Sequence, residues 1–380
     1  MKNTLILLLA VLGLFGCQEK KYEPLLLQNN YEEQIKQLKL PEGFQIEVVA
    51  EIQNARSMTR NEDGSIIFIG NRRAKEVYAL SDRDLDGVFD RLDTIAKGWN
   101  MPNGVAYHKG DLFVAEVSRI HRFKSIADNL EQPKSDIIYD SFPTETHHGW
   151  KFIAIGPDDK LYVPVGAPCN ICLEENPVYA SITRMNIDGT DLEIIANGVR
   201  NTVGFDWHPQ TGKLWFTDNG RDMLGDNSPA CELNRIDADG EHFGFPFIHQ
   251  GDLLDPEFGN NASIEDYTPP VFKFEPHSAP LGMRFYQGTN FPKEYLNAAF
   301  VAQHGSWNRS EEAGHTGYQI RAVFTDSDKV TGSEVFIEGW LDKQTNERWG
   351  RPVDVLELPD GALLISDDYL NVIYKVTYTK

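Results

Sequence analysis

Asp158-Asp159 followed by Lys160-Leu161-Tyr162-Val163-Pro164-Val165 is a turn signal leading into a short run of apolar and β-forming residues. The pattern recurs: Asp63-Gly64 before Ser65 to Ile69, Lys109-Gly110 before Asp111 to Ala115, Thr211-Gly212 before Lys213 to Thr217, and Asp360-Gly361 before Ala362 to Ser366. Leu296 to Ala302 is a weaker copy. Most copies follow a strand-like stretch, such as Gly104 to Tyr107, Phe152 to Ile155 or Val353 to Leu356. Several precede another, such as Val77 to Leu80 or Val372 to Val376. Each unit reads as a meander of three or four antiparallel strands. Six units, the first four about 45 to 55 residues apart, predict an all-β chain: a six-bladed β-propeller of four-stranded antiparallel blades. No long amphipathic helical pattern interrupts them, which disfavours an α/β barrel. Spacing widens after the fourth copy, where Gly240 to Ala279 reads as an insertion. Phe44 to Val49 is placed to complete the last blade and close the ring.

The 380 residues are 41% hydrophobic and 24% charged, ordinary for a globular protein and too polar for a polytopic membrane protein. Asp and Glu number 57 against 36 Lys and Arg, a formal charge of −21. Such an acidic surface repels phosphate backbones and anionic headgroups, so no nucleic-acid partner is expected. At the N-terminus Lys2 precedes an apolar run from Leu5 to Phe15 that ends in Leu14-Phe15-Gly16-Cys17. The run is too short to span a bilayer and resembles a bacterial lipoprotein signal, with Cys17 as the lipidated residue. The expected organisation is a signal over residues 1–17, a tether with a short helix (Tyr31 to Leu40) over 18–39, and one propeller over 40–380. The expected place is the bacterial cell envelope, periplasmic or at the outer-membrane surface, with the membrane met only through the lipid on Cys17. Of the remaining cysteines, Cys169 and Cys172 have the spacing of a tight local disulfide, with Cys231 a competitor for either partner.

Asp82, Asp84 and Asp86, followed by Gly87, Val88 and Asp90, form the string D-x-D-x-D-G-x-x-D. Alternate carboxylates, a glycine at the bend and the Val88 carbonyl can wrap one hard cation, and the setting between strands predicts a structural calcium hairpin. The residues suited to chemistry cluster at strand ends elsewhere: Thr146-His147-His148-Gly149-Trp150-Lys151, Gly198-Val199-Arg200-Asn201, Gly244-Phe245-Pro246, His304 to Arg309, and Arg348 to Pro352. Arg, His and Asn from several blades facing one channel predict a pocket for a small polyanion, because Arg takes carboxylates bidentately.

Taken in order, these segments resemble the soluble PQQ-dependent sugar dehydrogenases, the glucose/sorbosone dehydrogenase group, with the sorbosone-type branch the nearer. The resemblance runs from about Leu40 to Tyr378 and rests on 147–172, 198–222, 232–246, 304–309 and 348–355. It implies PQQ and calcium as cofactors, and oxidation of an aldose sugar or sugar-derived aldehyde with electrons passed to an external acceptor. It places the base on His147, or on His148 if the register slips by one. It places Arg200, Asn201 and Arg351 on the cofactor, with His304, Arg309 and Arg348 as further contacts and Asn103 near a glutamine of the glucose-type enzymes. Glu232 and the carbonyls of Gly244 and Pro246 fall where that family binds calcium. Thr146 departs from an aspartate in the glucose-type enzymes, and their lysine contact has no equivalent here. Two other classes fit a propeller: a calcium-dependent lactonase or esterase, and a non-catalytic envelope binding protein.

Overall fold

The computed structural model describes residues 22–379, so the signal segment and Cys17 lie outside the described residues. The described residues form six blade sheets around a channel, each a four-strand meander from the innermost strand outward, with Glu241–His242 added parallel to the outer strand of the third and two short two-stranded sheets outside the blades. The first blade is Ala55–Arg60, Ile66–Asn71, Glu76–Ser81 and Arg91–Lys97; the second is Gly104–His108, Asp111–Ala115, Ile120–Phe123 and Ser135–Tyr139. The third is Ala154–Ile155, Lys160–Val165, Ser181–Asn186 and Glu193–Asn197; the fourth is Phe205–Trp207, Leu214–Asp218, Cys231–Arg235 and Phe272–Phe274. The fifth is Pro280–Phe285, Ala299–Gln303, Gln319–Asp326 and Lys329–Ile337. The sixth takes Pro352–Glu357, Leu363–Asp367 and Val372–Tyr378 from the C-terminus and Phe44–Glu51 from the N-terminus.

The six recurring runs are the second strands of the blades. They read as nearly continuous apolar stretches because each is covered on both faces by neighbouring blades, and Ile66–Asn71 and Leu363–Asp367 are buried throughout. The core accordingly lies between blades. Trp215 of the fourth packs with Met283, Phe285 and Val301 of the fifth, and Ile67 and Ile69 of the first pack with Leu364 and Ile373 of the sixth. Closure follows the expected route. Phe44–Glu51 pairs antiparallel with Val372–Tyr378, from Phe44 opposite Tyr378 to Glu51 opposite Val372, and the Phe44 ring meets Phe291 and Phe336 edge-on at 4.7 and 4.8 Å.

Three expectations shift. The insertion is shorter than Gly240 to Ala279, because Phe272–Phe274 pairs with Cys231–Leu233 as the outer strand of the fourth blade. The N-terminal helix is only Glu32–Ile35, since Leu38 turns into the core and Lys39 bridges to Glu338. The segment before it is held on the body: the Leu25 N–H donates to the Phe89 carbonyl, and Gln28, Asn29 and Tyr31 converge on the Glu51 carboxylate. Cys169 and Cys172 form the expected disulfide, and Cys231 is a buried free thiol.

Strand alternation fixes two faces. Loops entering the inner strands and loops joining second to third strands emerge on one; loops joining first to second and third to fourth strands emerge on the other. The Asp82 to Asp90 hairpin joins the third and fourth strands of the first blade, and its Asp82 N–H bonds Ser65 of the first-to-second loop. It therefore sits opposite the loops that carry the histidines and arginines.

Candidate functional site

A cleft of about 370 Å³ opens at the mouth formed by the entry and second-to-third loops. Its walls come from blades one, three, four, five and six, and hold five arginines, Arg56, Arg72, Arg73, Arg200 and Arg351, against two aspartates, Asp222 and Asp368. Concentrated positive charge in a chain of net −21 is costly unless an anion offsets it. The crowding is felt at Arg72, whose pKa is brought down to about 10 by burial and by Arg56 and Arg73, and whose guanidinium stacks 3.7 Å from the Trp150 ring. The larger cavity at the other mouth, about 500 Å³, has its cations spent internally. There Arg60 donates to the carbonyls of Asn61, Glu62 and Glu357, and Lys109 pairs with Asp159 at 2.9 Å.

His148, and not His147, lines the cleft. His148 is buried with φ +50, and the close approach needs glycines on both sides: a Cβ at Gly149 would lie 2.1 Å from the Glu145 carbonyl oxygen, and one at Gly166 would lie 2.7 Å from the His148 Cβ. Its Nδ1 is 2.8 Å from the Ala167 carbonyl, which can only accept, so Nδ1 carries the proton of the neutral ring and Nε2 the lone pair. Burial, then Arg200 and His147, hold its pKa well below the usual imidazole value. His147 is exposed and lies against His148 with ring centroids 4.1 Å apart. The left-handed turn at His148 directs the two consecutive side chains to different sides.

Of the other expected residues, Arg200, Asn201, His304 and Arg351 line the cleft. Their backbone is fixed from below: the Asp218 carboxylate accepts the N–H groups of Arg200 and Asn201 at 2.8 and 2.6 Å. The His304 Nε2 meets Asp368 at 2.7 Å, and burial brings its pKa down to about 4, so the ring is neutral. Against a desolvation that pushes it up, His304 and Arg56 hold the Asp368 carboxyl far below the carboxylate range. Three residues stand elsewhere. Arg309 is spent on the carbonyls of Gly314, Asp226 and Ala313, and Arg348 lies against His315 at 3.3 Å. Asn103 is wholly buried, accepting from Arg56 Nε and donating to Ser57 and to the Lys151 carbonyl, so it is scaffolding beneath the cleft. Trp349 donates to the Gly339 carbonyl and packs near Trp340, whereas Trp307, 63% exposed, and Tyr369 stand at the mouth.

Below Arg200 a second cavity has about 10 Å³ of free volume, room for a single small species, and is lined by Asp218, Asn219, Glu232 and Phe245. The Asn219 Oδ1 is buried with no hydrogen-bond partner, and burial followed by Asp218 pushes the Glu232 pKa up to about 8. Two buried carboxylates and an orphaned amide oxygen are a hard-oxygen donor set suited to a small hard cation. The Gly244 carbonyl is not part of it, since it accepts the N–H groups of Phe247 and Ile248; Pro246 lies on a neighbouring pocket with Cys172 and Gly198. On the opposite face, Asp82, Asp84 and Asp86 bring carboxylate oxygens within 4.8 Å of one another. Asp90 is turned to Arg83, whose N–H it accepts at 2.9 Å, and the Val88 N–H donates to Asp86.

A family model described as a domain of unknown function (DUF7133) matches residues 30–378. A Borreliella burgdorferi protein described as uncharacterized is 35% identical over 359 residues, 90% of this chain and 91% of that one. Among solved structures, the PQQ domain of Coprinopsis cinerea pyranose dehydrogenase superposes with TM-score 0.73 at 16% identity, over 90% of this chain and 97% of that one. A Trichoderma reesei carbohydrate-active enzyme of family AA12 gives 0.76 at 17%, over 90% and 97%. The PQQ-bound aldose sugar dehydrogenase of Streptomyces coelicolor gives 0.63 at 16%, over 90% and 100%. These likenesses are of fold.

Proposed function

The chain belongs to the DUF7133 family, and for this member we propose a PQQ- and calcium-dependent oxidation of an aldose sugar or sugar-derived aldehyde, with electrons leaving to an external acceptor. The observation that carries this reading is the cleft itself: five arginines against two aspartates, beside a buried neutral histidine whose free lone pair is fixed on Nε2. Its volume is within the range of small-ligand sites, and its charge suits a flat tricarboxylate. The PQQ domain of the Coprinopsis cinerea pyranose dehydrogenase and the PQQ-bound aldose sugar dehydrogenase of Streptomyces coelicolor support the same reading by fold.

When bound, PQQ supplies a quinone that accepts hydride, and calcium polarises it. The chain's own groups do the rest. Arg72 and Arg73 would orient carboxylates, Arg200 and Arg351, whose forks already donate to loop carbonyls, add fixed positive charge beside them, and Glu232, Asp218 and Asn219 would hold the calcium. Trp307 and Tyr369 offer flat apolar faces to a sugar ring at the mouth. His148 Nε2 takes the proton of the substrate hydroxyl, as a general base with no competing donor on that nitrogen. A lactonase needs a carboxylate-held metal in the cleft. Among the described residues the carboxylates lining the cleft are Asp222 and Asp368, both engaged by arginine or histidine, whereas Asp218 and Glu232 line the small cavity below it and not the cleft. In this proposal the chain works in the cell envelope, tethered by lipid on Cys17.

The test is reconstitution: chelator-treated protein from Gln18 onward, titrated with PQQ and calcium, followed by quinone absorbance and dye reduction with a panel of aldoses. Saturable binding with sugar-dependent reduction is expected; no binding at micromolar PQQ would reject the reading. The Asp82 hairpin is proposed as a separate structural calcium site. Calcium at a hundredfold excess over its Kd should stabilise the protein by about 2.7 kcal/mol, seen as a rise in Tm. Replacing Asp84 and Asp86 by Asn should remove that rise without changing PQQ affinity, because the hairpin is on the far face.

A further inference from the structure

Arg200 is only 4% exposed, and Asn170 takes two of its guanidinium nitrogens. The Nε donates to the Asn170 carbonyl at 2.9 Å and Nη2 donates to Asn170 Oδ1 at 2.9 Å; Nη1 reaches the Asn219 carbonyl at 3.1 Å and Nη2 also meets Asp222 at 3.4 Å. The same Asn170 amide closes a pair with the Asp222 backbone, Oδ1 accepting its N–H at 2.8 Å and Nδ2 donating to its carbonyl at 3.1 Å. Asp222 in turn accepts from Asn308 of the fifth blade at 2.5 Å. One side chain thus ties loops of three blades around the anion cleft.

Asn170 has little else to hold it. It lies outside any strand, in the long loop joining the second and third strands of the third blade, and no backbone N–H from 168 to 175 donates to another backbone group. Ordering such a segment costs conformational entropy for every residue fixed. What fixes it is the covalent ring that Cys169 and Cys172 close around Asn170 and Ile171. We infer that the Cys169–Cys172 disulfide is a positioning device for the cleft, holding Asn170 so that Asn170 can aim Arg200 and anchor Asp222. The consequence for cofactor affinity rests on the proposed function; the clamp on Asp222 does not. Cys169 and Cys172 are half-buried, within reach of a small reductant, whereas the free thiol of Cys231 is enclosed.

The experiment compares oxidised protein, protein reduced by a phosphine, Cys169→Ser/Cys172→Ser, and Asn170→Ala with the disulfide intact. Two readouts are taken: PQQ affinity in calcium with kcat at saturating PQQ, and amide exchange by mass spectrometry over the peptide containing Asp222, without PQQ. Losing charge-assisted hydrogen bonds to Arg200 should weaken PQQ about tenfold or more in all three altered forms. kcat at saturation should stay within about twofold, because His148 is held separately by Ala167. Exchange at Asp222 should speed up by about tenfold with the rest of the map unchanged. Affinity and Asp222 exchange both unmoved on reduction and in Cys169→Ser/Cys172→Ser would overturn the inference, whatever Asn170→Ala does. If the oxidised protein binds no PQQ the proposed function fails, and the exchange measurement alone decides the clamp.

Discussion

Replacing His148 by Gln in the PQQ-loaded protein is expected to lower kcat by about 10²- to 10⁴-fold while leaving PQQ affinity nearly unchanged. Glutamine keeps the polarity and approximate size of the ring but cannot accept a proton at the Nε2 position. The neighbouring arginines that hold the anion are separate side chains, so binding survives. His147→Gln should change kcat by little more than about twofold, because that ring is exposed and its role is confined to covering His148. The pH profile gives a second check. Working as a base requires the neutral ring, and burial, Arg200 and His147 hold the His148 pKa below the ordinary imidazole value. The acid limb of kcat/KM should accordingly fall below pH 6.5, and activity should hold as pH drops through that value. A limb centred at 6.5 or above, or equal losses in the His147 and His148 variants, would reject the assignment.

How far the site could be read ahead of the structure depends on which physical signal carries each part. The blades were legible because second strands buried on both faces leave uninterrupted apolar runs after a turn, and Asp158 to Val165 shows it plainly. Arg200 and Asn201, which line the cleft, were singled out by the resemblance of their segment to the PQQ-dependent dehydrogenases. Arg56 was missed because it lies inside its inner strand, two register positions past the one Arg200 takes in the fourth blade; Arg72 and Asp368 were missed, although each follows its second strand as Asn219 and His304 do. Aligning the six second strands against one another would have found Arg72 and Asp368, since blade register decides which residues reach the mouth. Arg309 and Arg348 went the other way: a guanidinium in a motif says nothing about whether backbone carbonyls consume its donors, and at Arg309 three do. Which of His147 and His148 lines the cleft turns on one positive φ, a property adjacent glycine only hints at.

Lys151 yields the other large effect, and here stability and function oppose each other. The side chain is 1% exposed, its Nζ donates to the Gly149 carbonyl at 2.9 Å, and the Phe142 ring lies 5.6 Å away. Desolvation alone brings its pKa from the usual 10.5 to about 7, with no carboxylate offsetting the charge. A base whose pKa is depressed by folding binds more protons when unfolded, so between pH 7 and 10.5 stability rises with pH. Below pH 7 the native state bears the full penalty, on the order of several kcal/mol. Lys151→Met, which fills the same space without the charge, should therefore stabilise the protein by a few kcal/mol at pH 6, with the advantage shrinking toward pH 10. Denaturant unfolding of both forms across that range checks it, and parallel stability curves would refute it. The same substitution removes the hydrogen bond that holds Gly149, the residue following His148, so kcat of the loaded protein should fall even as stability increases. A buried lysine that destabilises the fold yet steadies the turn presenting the base is explained by its position next to that base, and by nothing in the packing around it.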